Sequence, residues 1–171
     1  SISFSKEKIK VYNLNKFKKN IDLIDKSTLL IYTKKNRNSA VPSKKLITRI
    51  QNGKNVYNLN KIKEFADTGE KIKKSKNFDN KIFGEILNES WEYKKRCSNK
   101  ISNNTIEFIT SRAKQNGAYA SKVIGAGGGG FMIIYAEKKF HNKIKKKLGQ
   151  FKFVNFNFSK EGSKTIFNSH E

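Results

Sequence analysis

The chain has little of what cross-links, punctuates or anchors a protein. Its one cysteine, Cys97, excludes an internal disulfide and a thiolate cluster for a metal. Two histidines, His141 and His170, stand far apart among lysines and do not make a metal-ligand pattern. No run approaches the roughly 20 apolar residues of a membrane span. The opening SISFSKEKIK has no apolar core of a signal peptide. Together these point to a cytoplasmic chain. The sequence does not begin with Met and opens on strand-like alternation, which suggests a fragment of something longer.

Arginine and acid are also scarce. The 14 acidic residues leave a formal net charge of +23, and only Arg37, Arg49, Arg96 and Arg112 are arginines. Such a charge reads either as a footprint for nucleic acid or another polyanion, or as drift toward lysine and asparagine. Arginine is the better fork for phosphates and base edges. Its scarcity, and the even spread of lysine, argue against a nucleic-acid partner.

A hydrophobic content of 36% with 13 phenylalanines argues for a real core, and 171 residues suffice for one domain. Residues 2–12 alternate through Ile2, Phe4, Ile9 and Val11 as a strand pair or a strand end. A short helix is expected near 17–25, and LLIYT (29–33) reads as a buried strand. Pro42 and Ser43 suit a helix start, with helices over 43–51 and 56–75. Apolar spacing through Ile82, Phe83, Ile86, Leu87 and Trp91 predicts a helix over 79–97 that buries Phe83 and Trp91. Asn104 and Glu107 form a capping-box pattern ahead of Ile106, Ile109 and Ala113, and Gly117 suits the stop. Strands follow at 119–124 and 131–136. An amphipathic helix with Phe140, Ile144 and Leu148 on one face ends at Gly149. FKFVNFNF (151–158) is a strand with a slip near Val154–Asn155, and SKTIF (163–167) is a last strand. VYNLNKFK (11–18) recurs as VYNLNKIK (56–63), but two copies with unmatched flanks do not make a repeat architecture. Helices followed by strand–loop–strand–helix–strand–strand give an α+β fold with a largely antiparallel sheet.

Six residues, Gly125 to Gly130, hold five of the chain's 11 glycines. A Walker P-loop fails, because Phe131 follows Gly130 where Lys is needed. Gly125, Gly127 and Gly130 fit a dinucleotide fingerprint. Yet FMIIY is a better strand than a first helical turn, and no acid lies about 20 residues on. A strand–loop–strand nest remains, its backbone free to approach an anion. A packing role is the plainer alternative.

KVIGAGGGGF resembles the third conserved motif of the GHMP kinases. Together with LLIYTKKNRNSA, GEILNESWEYKKRCSNKISNNTIEFI, AKQNGAYASKVIGAGGGGFMIIY and FKFVNFNFSKEGSKTIF it is similar to the D-glycero-D-manno-heptose 7-phosphate kinase branch, over residues 27–167. The resemblance implies a ferredoxin-like antiparallel sheet with packed helices over 27–171, and the end of a preceding domain, or a connector, over 1–26. It implies an ATP-dependent sugar-phosphate kinase working toward nucleotide-heptose and surface polysaccharide. ATP and Mg²⁺ would be held mainly by an N-terminal half. The family's P-x-x-x-G-L-x-S-S-type nucleotide loop does not occur; Pro42 is followed by SKKLITRI. The catalytic acid also lies upstream in the family, so this chain supplies no catalytic residue and is incomplete alone.

What remains is one wall of a site. Gly125, Ala126, Gly127, Gly128, Gly129 and Gly130 would support the nucleotide loop and face phosphate. Lys122 could reach a substrate phosphate. Thr33 and Arg37 match a T-G-x-x-R-S-like substrate stretch, with Lys34 where the family usually has glycine. Partners would be a sugar phosphate, ATP and the N-terminal half. Two alternatives stay open: a GHMP kinase for another small molecule, and a non-catalytic polyanion-binding module, which steeply salt-dependent DNA binding would reveal.

Overall fold

In the computed structural model, residues 1–5, 7–35 and 47–159 are described. The expected helix start at Pro42–Ser43, Arg37 and the strand over 163–167 lie outside them; 47–51 is helical. The labelled elements are β1 (Ile2–Phe4), β2 (Ile9–Val11), a 3-10 turn (Asn15–Phe17), α1 (Lys18–Lys26), β3 (Thr28–Tyr32), α2 (Val56–Lys73), α3 (Asn80–Arg96), α4 (Asn104–Gln115), β4 (Ala118–Val123), β5 (Phe131–Ala136), α5 (Lys138–Lys147) and β6 (Lys152–Val154). No helix among the described residues is long and apolar enough to cross a membrane.

The main sheet runs β4-β5-β3-β6 with every pairing antiparallel. Its first strand therefore lies between the third and the fourth, which is the ferredoxin-like order expected from sequence. Leu29 and Ile31 face the same side as Ile134 and Met132, their register partners. That face packs with Ile106, Ile109 and Ala113 of α4 and Ile144 of α5, and Trp91 joins the same cluster, fully buried as expected. Burial of each such large side chain contributes roughly 1.5–3 kcal/mol. Ala120 and Tyr135 point the other way, toward Ile24 of α1 and Phe83 and Leu87 of α3. Helix α3 sits close to β4 because Gly84 has no side chain: a Cβ there would meet that of Tyr119 at 2.5 Å.

Local chemistry sets the helix ends, with two departures from expectation. Asp79 caps α3 through its side chain. The cap of α4 is Asn103, one residue earlier than predicted, and its Oδ1 accepts from Thr105 and Ile106. Glu107 closes no capping box; its carboxylate accepts from Ser102 and pairs with Lys95. Gly117 takes the predicted left-handed turn, φ +99°. Gly149 does not: α5 ends at Lys147, and the residue that caps it, Leu148, is buried in the core. The strand expected over 151–158 stops at Val154. Extending the register with β3 would put Phe156 on the opposite face from Phe153, and the Phe156 ring instead makes a tilted contact with Phe158.

β1 and β2 form a separate two-stranded ribbon. Ile2 pairs with Val11 and Phe4 with Ile9, so four apolar side chains share one face. All four are more than half exposed.

Candidate functional site

The glycine run is the turn between β4 and β5, at the end of the sheet where β3 also finishes. Gly125, Gly127, Gly128, Gly129 and Gly130 all have positive φ. Two of them are required by close approach. A Cβ on Gly127 would lie 2.9 Å from the Ile101 carbonyl oxygen, and one on Gly129 would lie 2.8 Å from that of Lys35. The loop thus passes directly over two other backbone segments, which explains why a plain hairpin turn with one or two glycines would not do.

Hydrogen bonds fasten it to those segments. The Gly128 amide donates to Ile101 (2.7 Å), and the Gly128 carbonyl accepts from the Asn103 side chain (2.8 Å). The Gly130 amide donates to Lys35 (2.9 Å). The Gly130 carbonyl accepts from both the amide and the hydroxyl of Thr33, each at 2.9 Å. At the other end, Lys94 of α3 donates to the Gly125 carbonyl at 2.5 Å. Asn103 therefore caps α4 with one side-chain atom and holds the loop with another.

This geometry sorts the residues singled out in the sequence. Thr33 is 1% exposed and its hydroxyl is committed to Gly130, so it fixes the loop's end and does not project outward. The amides of Gly128 and Gly130 are likewise committed to protein carbonyls. Those of Gly125 and Ala126 have no acceptor among the described residues. Lys122 is half-buried on β4, opposite Ile133, on the sheet face of Tyr135. Burial, and then the charge of Lys94, push its ammonium below the ordinary lysine range. Burial also lowers Lys94, only partly offset by Cys97. Lys34 stands in the left-handed region, φ +57°, a conformation suited to glycine.

The sequence reading missed Lys94 and Asn103. Lys94 is one lysine of many in a helix, and its contact is 31 residues away. For Asn103 a signal existed: either of two adjacent asparagines could cap the helix. Among the described residues no three His, Cys, Asp or Glu side chains converge, so the donors that Mg²⁺ would need are not assembled there.

A ferredoxin-like antiparallel sheet with packed helices and a pinned glycine loop between two of its strands defines the class of domain. The family comparison makes it specific. Residues 71–154 match the model described as GHMP kinases C terminal, and this stretch is a GHMP kinase C-terminal domain. The chain is 42% identical over 83 residues to D-glycero-alpha-D-manno-heptose 7-phosphate kinase of Campylobacter jejuni subsp. jejuni, covering 47% of this chain and 24% of that protein. A crystal structure of a putative sugar kinase from Campylobacter jejuni aligns over 94% of this chain and 45% of that one, with 26% identity and a TM-score of 0.55. Methanococcus jannaschii mevalonate kinase shares the fold with a TM-score of 0.64 and 19% identity, over 90% of this chain and 45% of that one. The chain spans about a quarter of the curated relative and less than half of these solved kinases.

Proposed function

We propose that this chain is the C-terminal part of an ATP-dependent cytoplasmic kinase that phosphorylates a heptose 7-phosphate, for nucleotide-heptose and surface polysaccharide synthesis. One observation carries the reading. The loop with the family's glycine pattern is tied to three neighbouring segments on a domain similar to a heptose 7-phosphate kinase.

Phosphoryl transfer is mostly positioning and electrostatics. Here the chain's own part is a rigid wall. Its glycines let backbone approach a phosphate, Lys122 supplies charge, and Thr33 and Asn103 keep the loop from moving. When bound, ATP supplies the phosphoryl group and Mg²⁺ neutralises it. The groups that hold both, and the catalytic acid, belong to an N-terminal half. Arg37 is kept as a substrate-phosphate contact. Residues 1–26 are read as the end of that half or a connector, and 27–171 as the C-terminal domain. The exposed apolar face of the β1–β2 ribbon supports this, since a two-stranded sheet alone is marginal in water.

The test is ATP-dependent phosphorylation of heptose 7-phosphate by the complete enzyme carrying this chain, followed by product mass. Gly128→Val is expected to abolish turnover while circular dichroism stays unchanged. Unchanged kinetics in that variant would remove the loop from the mechanism.

A further inference from the structure

We infer that Lys94 and Lys122 together form a subsite for a phosphate group at the mouth of the glycine loop, with Lys94 both a ligand and the residue that positions Gly125. The argument begins with what these two ammonium groups lack. Lys95, beside Lys94 in sequence, pairs with Glu92 and Glu107. Neither Lys94 nor Lys122 has a carboxylate partner among the described residues, although both are half-buried and Lys122 feels the charge of Lys94. Two like charges withdrawn from water without a counter-ion are costly. A fold that keeps both is matched to an anion that arrives from outside.

The geometry says where the anion sits. Lys94 crosses from the last turn of α3 to the Gly125 carbonyl, so its ammonium stands at the loop's first turn. That bond engages one of its N–H donors and leaves the others without a hydrogen-bond partner among the described residues. The Lys122 ammonium makes no hydrogen bond to a described residue, and the side chain comes from the strand that feeds the same loop. Two positive charges with several open donors suit a phosphate dianion better than a single carboxylate.

The inference rests on the kinase reading only for the phosphate's source, a sugar phosphate or a nucleotide. Trp91, the only tryptophan, has its ring 6.0 Å from the Lys94 ammonium and serves as the reporter. Its fluorescence would be titrated with inorganic phosphate in the intact 171-residue chain. Saturable binding is expected, weakened about tenfold or more by Lys94→Gln or Lys122→Gln. Lys122→Arg should retain most of it, and Lys146→Gln, on the exposed face of α5, all of it. Competition by heptose 7-phosphate assigns the subsite to the sugar, and competition by ADP alone assigns it to the nucleotide. Equal affinity in wild type, Lys122→Gln and Lys146→Gln overturns the subsite, because surface charge then explains the binding. If the subsite fails while the complete enzyme phosphorylates heptose 7-phosphate, the kinase reading stands. If the lysine variants lose phosphate and the complete enzyme is inactive, the subsite stands and the kinase reading falls.

Discussion

Gly127→Ala isolates what the glycine run does for the fold. The substitution adds one carbon at φ +98°, where it would lie 2.9 Å from the Ile101 carbonyl oxygen and 3.0 Å from the Ile101 Cα. Two costs follow. Holding an L-residue in a left-handed conformation costs roughly 1–2 kcal/mol. The contact is with backbone, so relief requires the loop to lift, which stretches the 2.7 Å bond from the Gly128 amide to the same carbonyl. A lost bond of that kind costs about 0.5–1.5 kcal/mol. The sum is about 2–3 kcal/mol, a large share of the roughly 5–15 kcal/mol that holds a domain together. Gly130→Ala is the control. It has φ +82° but nothing within 4 Å of its Cβ, so only the backbone cost applies. Urea unfolding followed by circular dichroism compares the two. Gly127→Ala should lie about 1 kcal/mol or more below Gly130→Ala. Equal midpoints with equal slopes would refute the claim that close packing over Ile101 demands this glycine.

Three further outcomes are expected. Asn103→Ala loses the α4 cap and the hold on Gly128 together, so urea unfolding should show a loss of about 1–3 kcal/mol; a neutral result would deny the double role. Lys34→Gly removes left-handed strain at some entropic cost, so thermal melting should show no loss and up to about 1 kcal/mol of gain. Glu70 gives a pH signature. Burial raises its pKa, but hydrogen bonds from Lys73, Lys74 and Ser1 outweigh burial and hold it at about 2. A depressed carboxyl contributes stability that is full above its unfolded value of 4.5 and disappears as pH falls toward 2. The shift sets an upper limit of about 3 kcal/mol, reduced by solvent screening to on the order of 1 kcal/mol. Glu70→Gln should therefore be less stable than wild type at pH 6, with the gap closing by pH 2; a constant gap would contradict the ion-pair origin.

Much of the sheet was legible because its strands are dense in β-branched and aromatic residues. FMIIYA cannot easily serve as a helix start after the glycines, and that, with the missing acid about 20 residues on, argues against the dinucleotide reading. Positions set by distant contacts were not legible. VYNLNKFK and VYNLNKIK differ at one residue, yet the first runs from the end of β2 into α1 and the second opens α2. Neighbours decide: Lys74 stacks over the Tyr12 ring, whereas Tyr57 packs against Tyr93 of α3. In the site, the glycine loop was evident from composition, but its restraints were not. The Thr33 hydroxyl, for example, donates to the Gly130 carbonyl, 97 residues away. Lys94 carried no mark in a sequence so rich in lysine.

The most direct measurement is ADP release by the complete enzyme carrying this chain, with ATP and a panel of heptose 7-phosphate, mevalonate and galactose. The account predicts turnover with heptose 7-phosphate, little with the others, and its loss in Gly128→Val. Turnover with none of the three, from a folded complete enzyme, would contradict it.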